Sequence, residues 1–185
     1  TMQFRLVYEG VLLGQNSSAS HKWDIRRAFH PQLATLWDQE PLSFIKERVL
    51  GEPTDLAELS NLRKRGEVTL APLVTFDLRL FVEVSVLLLR PRIPGSRPTD
   101  RSDADNQLKT LIDALRMPSG AQRIEAETAA TLPSPFYCLL EDDSLVTKVS
   151  LETEQWLAPR EDNQSLAIIT IDIKKYYLTC GNGIF

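Results

Sequence analysis

Two aspartates and a lysine in the run Arg101-Ser-Asp103-Ala-Asp105-Asn-Gln-Leu-Lys109, with the acidic pair Asp142-Asp143 further on, are the side chains best suited to chemistry in this chain. Hard divalent cations prefer carboxylate oxygens, and Mg²⁺ is usually held by one or two of them together with water and substrate phosphate. A lysine one turn beyond the second aspartate can offset charge developing on a phosphate under attack. These residue types suit a Mg²⁺ site that acts on a phosphodiester. Taken singly, each part has a simpler account. Asp-rich helix starts are caps, an Asp–Lys pair four apart is a solvated surface pair, and acidic turns before strands are common. Their order and spacing together favour the metal chemistry. No Ser-His-Asp or Cys-His arrangement competes with it, and His21 and His30 read as surface or partly packed residues.

The elements that must position these groups follow from pattern. Leu108, Leu111, Ile112 and Leu115 recur at helical spacing, so Asp103 to Met117 predicts a helix with one buried stripe. Ser102 or Asp103 would cap its start. Asp105, Lys109 and Asp113 then form a second stripe on the same helix. The Pro-rich segment Pro91 to Ser102 must be a loop, and Thr75 to Leu89 before it reads as a long buried strand. Gln3 to Tyr8, Leu145 to Leu151 and Leu166 to Tyr177 alternate as further strands. His21 to Trp37 is helical in pattern, with Pro31 expected to break or restart it. Leu42 to Leu50 repeats as a second helix. Asp55 to Arg65 predicts a third, ending on Arg63-Lys64-Arg65 before Gly66. Ser119 to Pro135 is weakly patterned. Strands and helices in this order predict an α/β (α+β) domain with a mixed sheet packed against helices.

The chain has 185 residues with a net charge of −4, which suits one domain and argues against a general nucleic-acid binder. The charge is uneven, however. Between Arg90 and Arg123 stand seven Lys or Arg against four Asp, so the acidic motif has a locally basic rim. Arg90, Arg92, Arg97 and Arg101 could contact a DNA backbone or simply be solvated. The greasiest run, Leu78 to Leu89, is interrupted by Arg79, Glu83 and Ser85 and is too short to span a membrane. No secretory leader pattern opens the chain. Cys138 and Cys180, without a CxxC, exclude a disulfide framework and a zinc ribbon. A cytoplasmic protein is expected.

Asp103-Ala-Asp105-Asn106-Gln-Leu-Lys109, then Asp113-Ala-Leu115, then Asp142-Asp143-Ser-Leu-Val146, resembles the motif set of the RusA-type Holliday junction resolvases. The resemblance covers roughly Phe76 to Leu151, with Leu166 to Tyr177 fitting a final strand. It implies a homodimer that binds branched DNA and resolves four-way junctions by Mg²⁺- or Mn²⁺-dependent hydrolysis. It also implies Asp103, Asp105 and Asp143 as metal ligands and Lys109 as the essential lysine, with Asp142 as the alternative third ligand. The chain departs from the family pattern in an extra helical segment over 21–66 and an insertion over 118–135. It also lacks a Pro-Pro-Ser-type turn after the first strand, where Gly14-Gln15-Asn16 stands.

Overall fold

In a computed structural model the chain folds as an α+β protein with two mixed sheets packed against helices. The structure describes residues 2–14, 17–51, 60–91, 93, 100–118, 124–161, 163–179 and 182–185, with the backbone alone for 100–102 and 126–127. The larger sheet holds β1 (Met2–Val11), β7 (Gln164–Lys175), β4 (Leu80–Arg90) and β6 (Val146–Gln155), in that order. β7 runs antiparallel to both neighbours, and β4 pairs parallel with β6. The smaller sheet orders β2 (Arg63–Arg65), β3 (Val68–Val74) and β5 (Phe136–Leu140), with β3 and β5 parallel.

Alternation explains the larger sheet. Leu80, Val82, Val84, Val86 and Leu88 of β4 and Ala167, Ile169, Ile171 and Ile173 of β7 are all buried on one face. Each Leu, Val and Ile among them contributes about 1.5–3 kcal/mol on leaving water. That face packs with α1 (Ala19–Trp37), α3 (Asp100–Leu115) and residues of β3 and β5 in one core. The short helices are α2 (Lys46–Leu50) and α4 (Ala126–Thr131).

Several expectations need correction. Pro31 lies inside α1 and does not break it. It sits on the exposed side of the helix, as does Arg27, whose carbonyl is left without its helical donor and can be hydrated there. Leu42 to Leu50 is split into a 3₁₀ turn, Leu42–Phe44, and the five-residue α2. Arg63-Lys64-Arg65 is a strand, not a helix end. It turns back through Gly66-Glu67 to pair Arg65 with Val68, and Gly66 takes φ +59°, which suits the first position of a two-residue hairpin loop. The rest of the helix expected over Asp55 to Arg65 lies largely outside the described residues. The long strand starts at Leu80 rather than Thr75, because Phe76 to Arg79 form a turn with Arg79 at φ +53°. β3 and β5 were not anticipated. Pro72 weakens the strand signal of one, and the other directly follows the weakly patterned Ser119 to Pro135 stretch.

Candidate active site on helix α3

The helix that carries the motif is held from several sides. Ala104, Leu111, Ala114 and Leu115 are buried, and Leu108 packs partly against the core. Its C-terminus is capped by a side chain from α1. Arg26 is 4% exposed, and its Nη2 and Nε donate to the carbonyls of Asp113 and Arg116 at 2.8 and 3.1 Å. A guanidinium there satisfies orphan carbonyls and opposes the negative end of the helix dipole. The same guanidinium lies 5.1 Å from the ring centre of Trp23. Lys22 pairs with Asp113, at 2.5 Å. Midway along α3, Gln107 Nε2 donates to the Leu12 carbonyl at 2.8 Å, and Thr110 Oγ1 to that of Gly14 at 3.3 Å. Gly14 eases this approach: a Cβ there would stand 3.1 Å from Asn106 Cβ, a tight contact.

The motif side chains sit on the remaining surface. α3 begins at Asp100, so Asp103 lies within the helix and neither it nor Ser102 caps the start. At about 100° per residue, Asp103 and Asp105 point about 200° apart around the axis. Asp103 faces a cavity of about 310 Å³ at the C-terminal end of β4. Leu12, Leu13 and Gly14 form one wall, Arg90 and Gln107 flank the aspartate, and Asn163, Gln164 and Ser165 close the far side. Asp105 and Lys109 are exposed on the opposite side of the helix. Asp103, Asp105 and Lys109 have no hydrogen-bond or ion-pair partner among the described residues. In contrast Asp24, Asp38, Asp77 and Asp172 are each paired with a nearby Arg or Lys.

The acidic pair after β5 divides into two roles. Asp142 caps the 3₁₀ turn Asp143–Leu145, accepting from Ser144 Oγ at 2.6 Å and Ser144 N at 3.0 Å. Those bonds, the hydroxyl first, hold its carboxyl below the ordinary range, a structural duty that leaves Asp143 the freer group. Asp143 is half-exposed, and its Oδ2 is 3.8 Å from Arg116 Nε, which is also 3.6 Å from Asp113 Oδ1. Asp143 is thus joined to the C-terminal end of α3, while Asp103 lies in its first turn. Thirteen residues of helix separate Asp103 from Arg116, about 20 Å of axial rise.

The structure therefore does not bring Asp103, Asp105 and Asp143 together. Among the described residues no group of three His, Cys, Asp or Glu side chains is placed to hold a metal ion. As arranged, these carboxylates do not fit a single Mg²⁺ centre. Arg92, Arg97 and Arg101 fall where no side chain is described. The histidines are structural acceptors: His21 Nε2 takes the amide of Leu13 at 3.2 Å, and His30 Nδ1 that of Tyr137 at 3.0 Å. Trp23 and Trp37 are core residues. Sequence reasoning missed the cavity, although Gln107 follows Asp103 by one turn and that spacing was available to place both on one side.

Among the described residues no helix is long and apolar enough to cross a membrane. Comparison with protein families, curated proteins and solved structures finds no match to this chain.

Proposed function

We propose that this chain is a Mg²⁺- or Mn²⁺-dependent, structure-selective DNA endonuclease of the RusA type, cytoplasmic, that cuts four-way junctions as a homodimer. The observation that carries the reading is the state of Asp103, Asp105 and Lys109. All three are exposed and unpartnered among the described residues on two adjoining turns of one helix, while Asp24, Asp38 and Asp77 are each paired with an Arg or Lys. Carboxylates with no partner in the protein keep their oxygens open to a divalent cation. Lys109, a point charge on a flexible stem, suits a phosphate at the same helix. In this reading Asp103 and Asp105 supply metal ligands, with Asp143 as the third. Binding then requires rearrangement of the first turn of α3 and of the Asp143 segment, and the chemistry supplied would be activation of water against a phosphodiester.

The distance between Asp143 and the other two aspartates favours a second reading, a non-catalytic DNA-binding or regulatory protein on the same fold. Cleavage decides between them. A labelled four-way junction, a flap and a plain duplex are incubated with wild type and with Asp105→Asn, in Mg²⁺ and in Mn²⁺. The nuclease reading expects junction cutting that Asp105→Asn lowers by at least about a hundredfold. Cutting of the flap alone revises the substrate. Junction binding without cutting in either metal, unchanged by the substitution, establishes the binding protein instead.

A further inference from the structure

β6 is an edge strand of the larger sheet, and it is unusually bare. Thr147, Lys148, Val149, Ser150, Glu152, Glu154 and Gln155 are all exposed, Val146 and Leu151 pack only partly against the core, and no described strand pairs with its outer rim. Edge strands expose a row of unpaired backbone donors and acceptors, a template for a further strand, and are commonly kept short or bulged to prevent pairing. β6 has ten residues, and its one irregularity lies at the start. The register passes from Val82–Val146 to Glu83–Lys148, leaving Thr147 as the extra residue. From Lys148 onward the strand is regular.

We infer that β6 pairs antiparallel with β6 of a second copy of this chain, over Lys148–Glu154, with Leu151 on the twofold axis. Symmetric antiparallel pairing keeps each side chain on its own face only when paired residues share parity, which leaves a few registers. An axis at Val149 sets Lys148 against Ser150 and runs the ladder across the bulge. An axis at Glu152 sets that carboxylate against itself. An axis at Ser150 gains Lys148–Glu152 pairs but confines regular pairing to residues 148–152. The axis at Leu151 uses the whole run from Lys148 to Glu154. It places Lys148 opposite Glu154 and diagonal to Glu152, twice over, and Leu151 against its own copy, with Val149, which is 43% exposed, opposite Thr153. Lys148 is available for this, since Glu83 takes Lys174 at 3.0 Å and Lys148 only at 4.0 Å. The two four-stranded sheets become one of eight strands. A strand pair alone is smaller than a standard interface, so the dimer is concentration-dependent rather than obligate.

This interface supplies the second subunit of the proposed nuclease and rests on that reading for its purpose, but its geometry stands on β6 alone. Sedimentation velocity across a range of concentrations measures the dimer constant. Lys148→Glu weakens it by about tenfold or more, and Lys148→Glu with Glu154→Lys restores it. In a Cys180→Ser background, Ser150→Cys with Glu152→Cys gives a disulfide-linked dimer on oxidation, and Ser150→Cys alone does not. Circular dichroism confirms that each variant is folded. A folded wild type that stays monomeric at every concentration overturns the inference, as does a dimer indifferent to Lys148→Glu, or cross-linking by Ser150→Cys alone. A dimer that cuts no DNA leaves the interface standing and removes the nuclease. A monomer that cuts junctions does the reverse.

Discussion

Burial decides what several reactive side chains in this molecule can do. Cys138 is enclosed in the smaller core cluster, and burial pushes its thiol up to about 12, so it is a packing residue and not a nucleophile. His30 is stacked on Phe136 with ring centres 4.6 Å apart, and desolvation lowers its pKa below the usual 6.5. The neutral ring is the form that accepts the Tyr137 amide, because a protonated Nδ1 cannot. The unfolded chain therefore takes up this proton at a higher pH than the folded one. Stability is complete above about pH 6.5 and declines as pH falls toward the folded-state value. His21, shifted in the same direction mainly by burial, adds to the slope. Thermal melts between pH 7.5 and 5 should show this fall, and His30→Asn, which keeps an acceptor but no titration, should reduce it. An unchanged slope in the variant would assign the fall elsewhere. Asp142 acts in a separate, more acidic window. Its depressed pKa adds stability above the ordinary carboxylate range, and this is lost as pH drops through the folded value.

At the scale of elements, the sequence was most legible where one periodicity ran without interruption. β1, β6 and β7 alternate with period two, and α3 carries a clear stripe, so these four stood where patterning put them. What patterning could not show was pairing. β3 reads VTLAPLV, and its proline argues against a strand until β5, Phe136 to Leu140, is seen beside it in parallel register. β5 itself has no alternation, because all five residues are buried. The basic triplet Arg63-Lys64-Arg65 satisfied the rules for a helix end as well as those for a strand. Tertiary contacts chose the strand: Arg63 reaches Glu141 and Asp77, both at 2.7 Å. The site was legible as a set of residue types, not as a geometry, since nothing in the spacing of Asp103 and Asp143 reports that they lie at opposite ends of a helix. α1 offers a test of this level. Pro31 removes one helical hydrogen bond on an exposed surface, so Pro31→Ala should stabilise the protein by about 1–3 kcal/mol, read as a higher midpoint in denaturant. No change or a loss would mean that the ring makes a compensating contact.

At the scale of the molecule, the two sheets are not separate bodies energetically. Ala71, Leu73 and Val74 of β3 and Tyr137, Leu139 and Leu140 of β5 lie in the same core cluster as the inner face of the larger sheet. Unfolding should accordingly be one cooperative transition, with near- and far-ultraviolet circular dichroism coincident in denaturant. Two resolved steps would show that the smaller sheet melts by itself. The shared core also fixes how α3 is mounted. Its last turn is gripped by Arg26 and its middle by Gln107 and Thr110, and none of Asp103, Asp105 and Lys109 is among those grips. Among the described residues the side-chain hydrogen bonds that anchor α3 lie at its last turn and midspan, with the exposed Asp103 and Asp105 toward its N-terminal tip. Substitutions at the tip leave the anchorage intact, so a chain altered there folds as its parent does, and whatever activity it loses is a loss of chemistry.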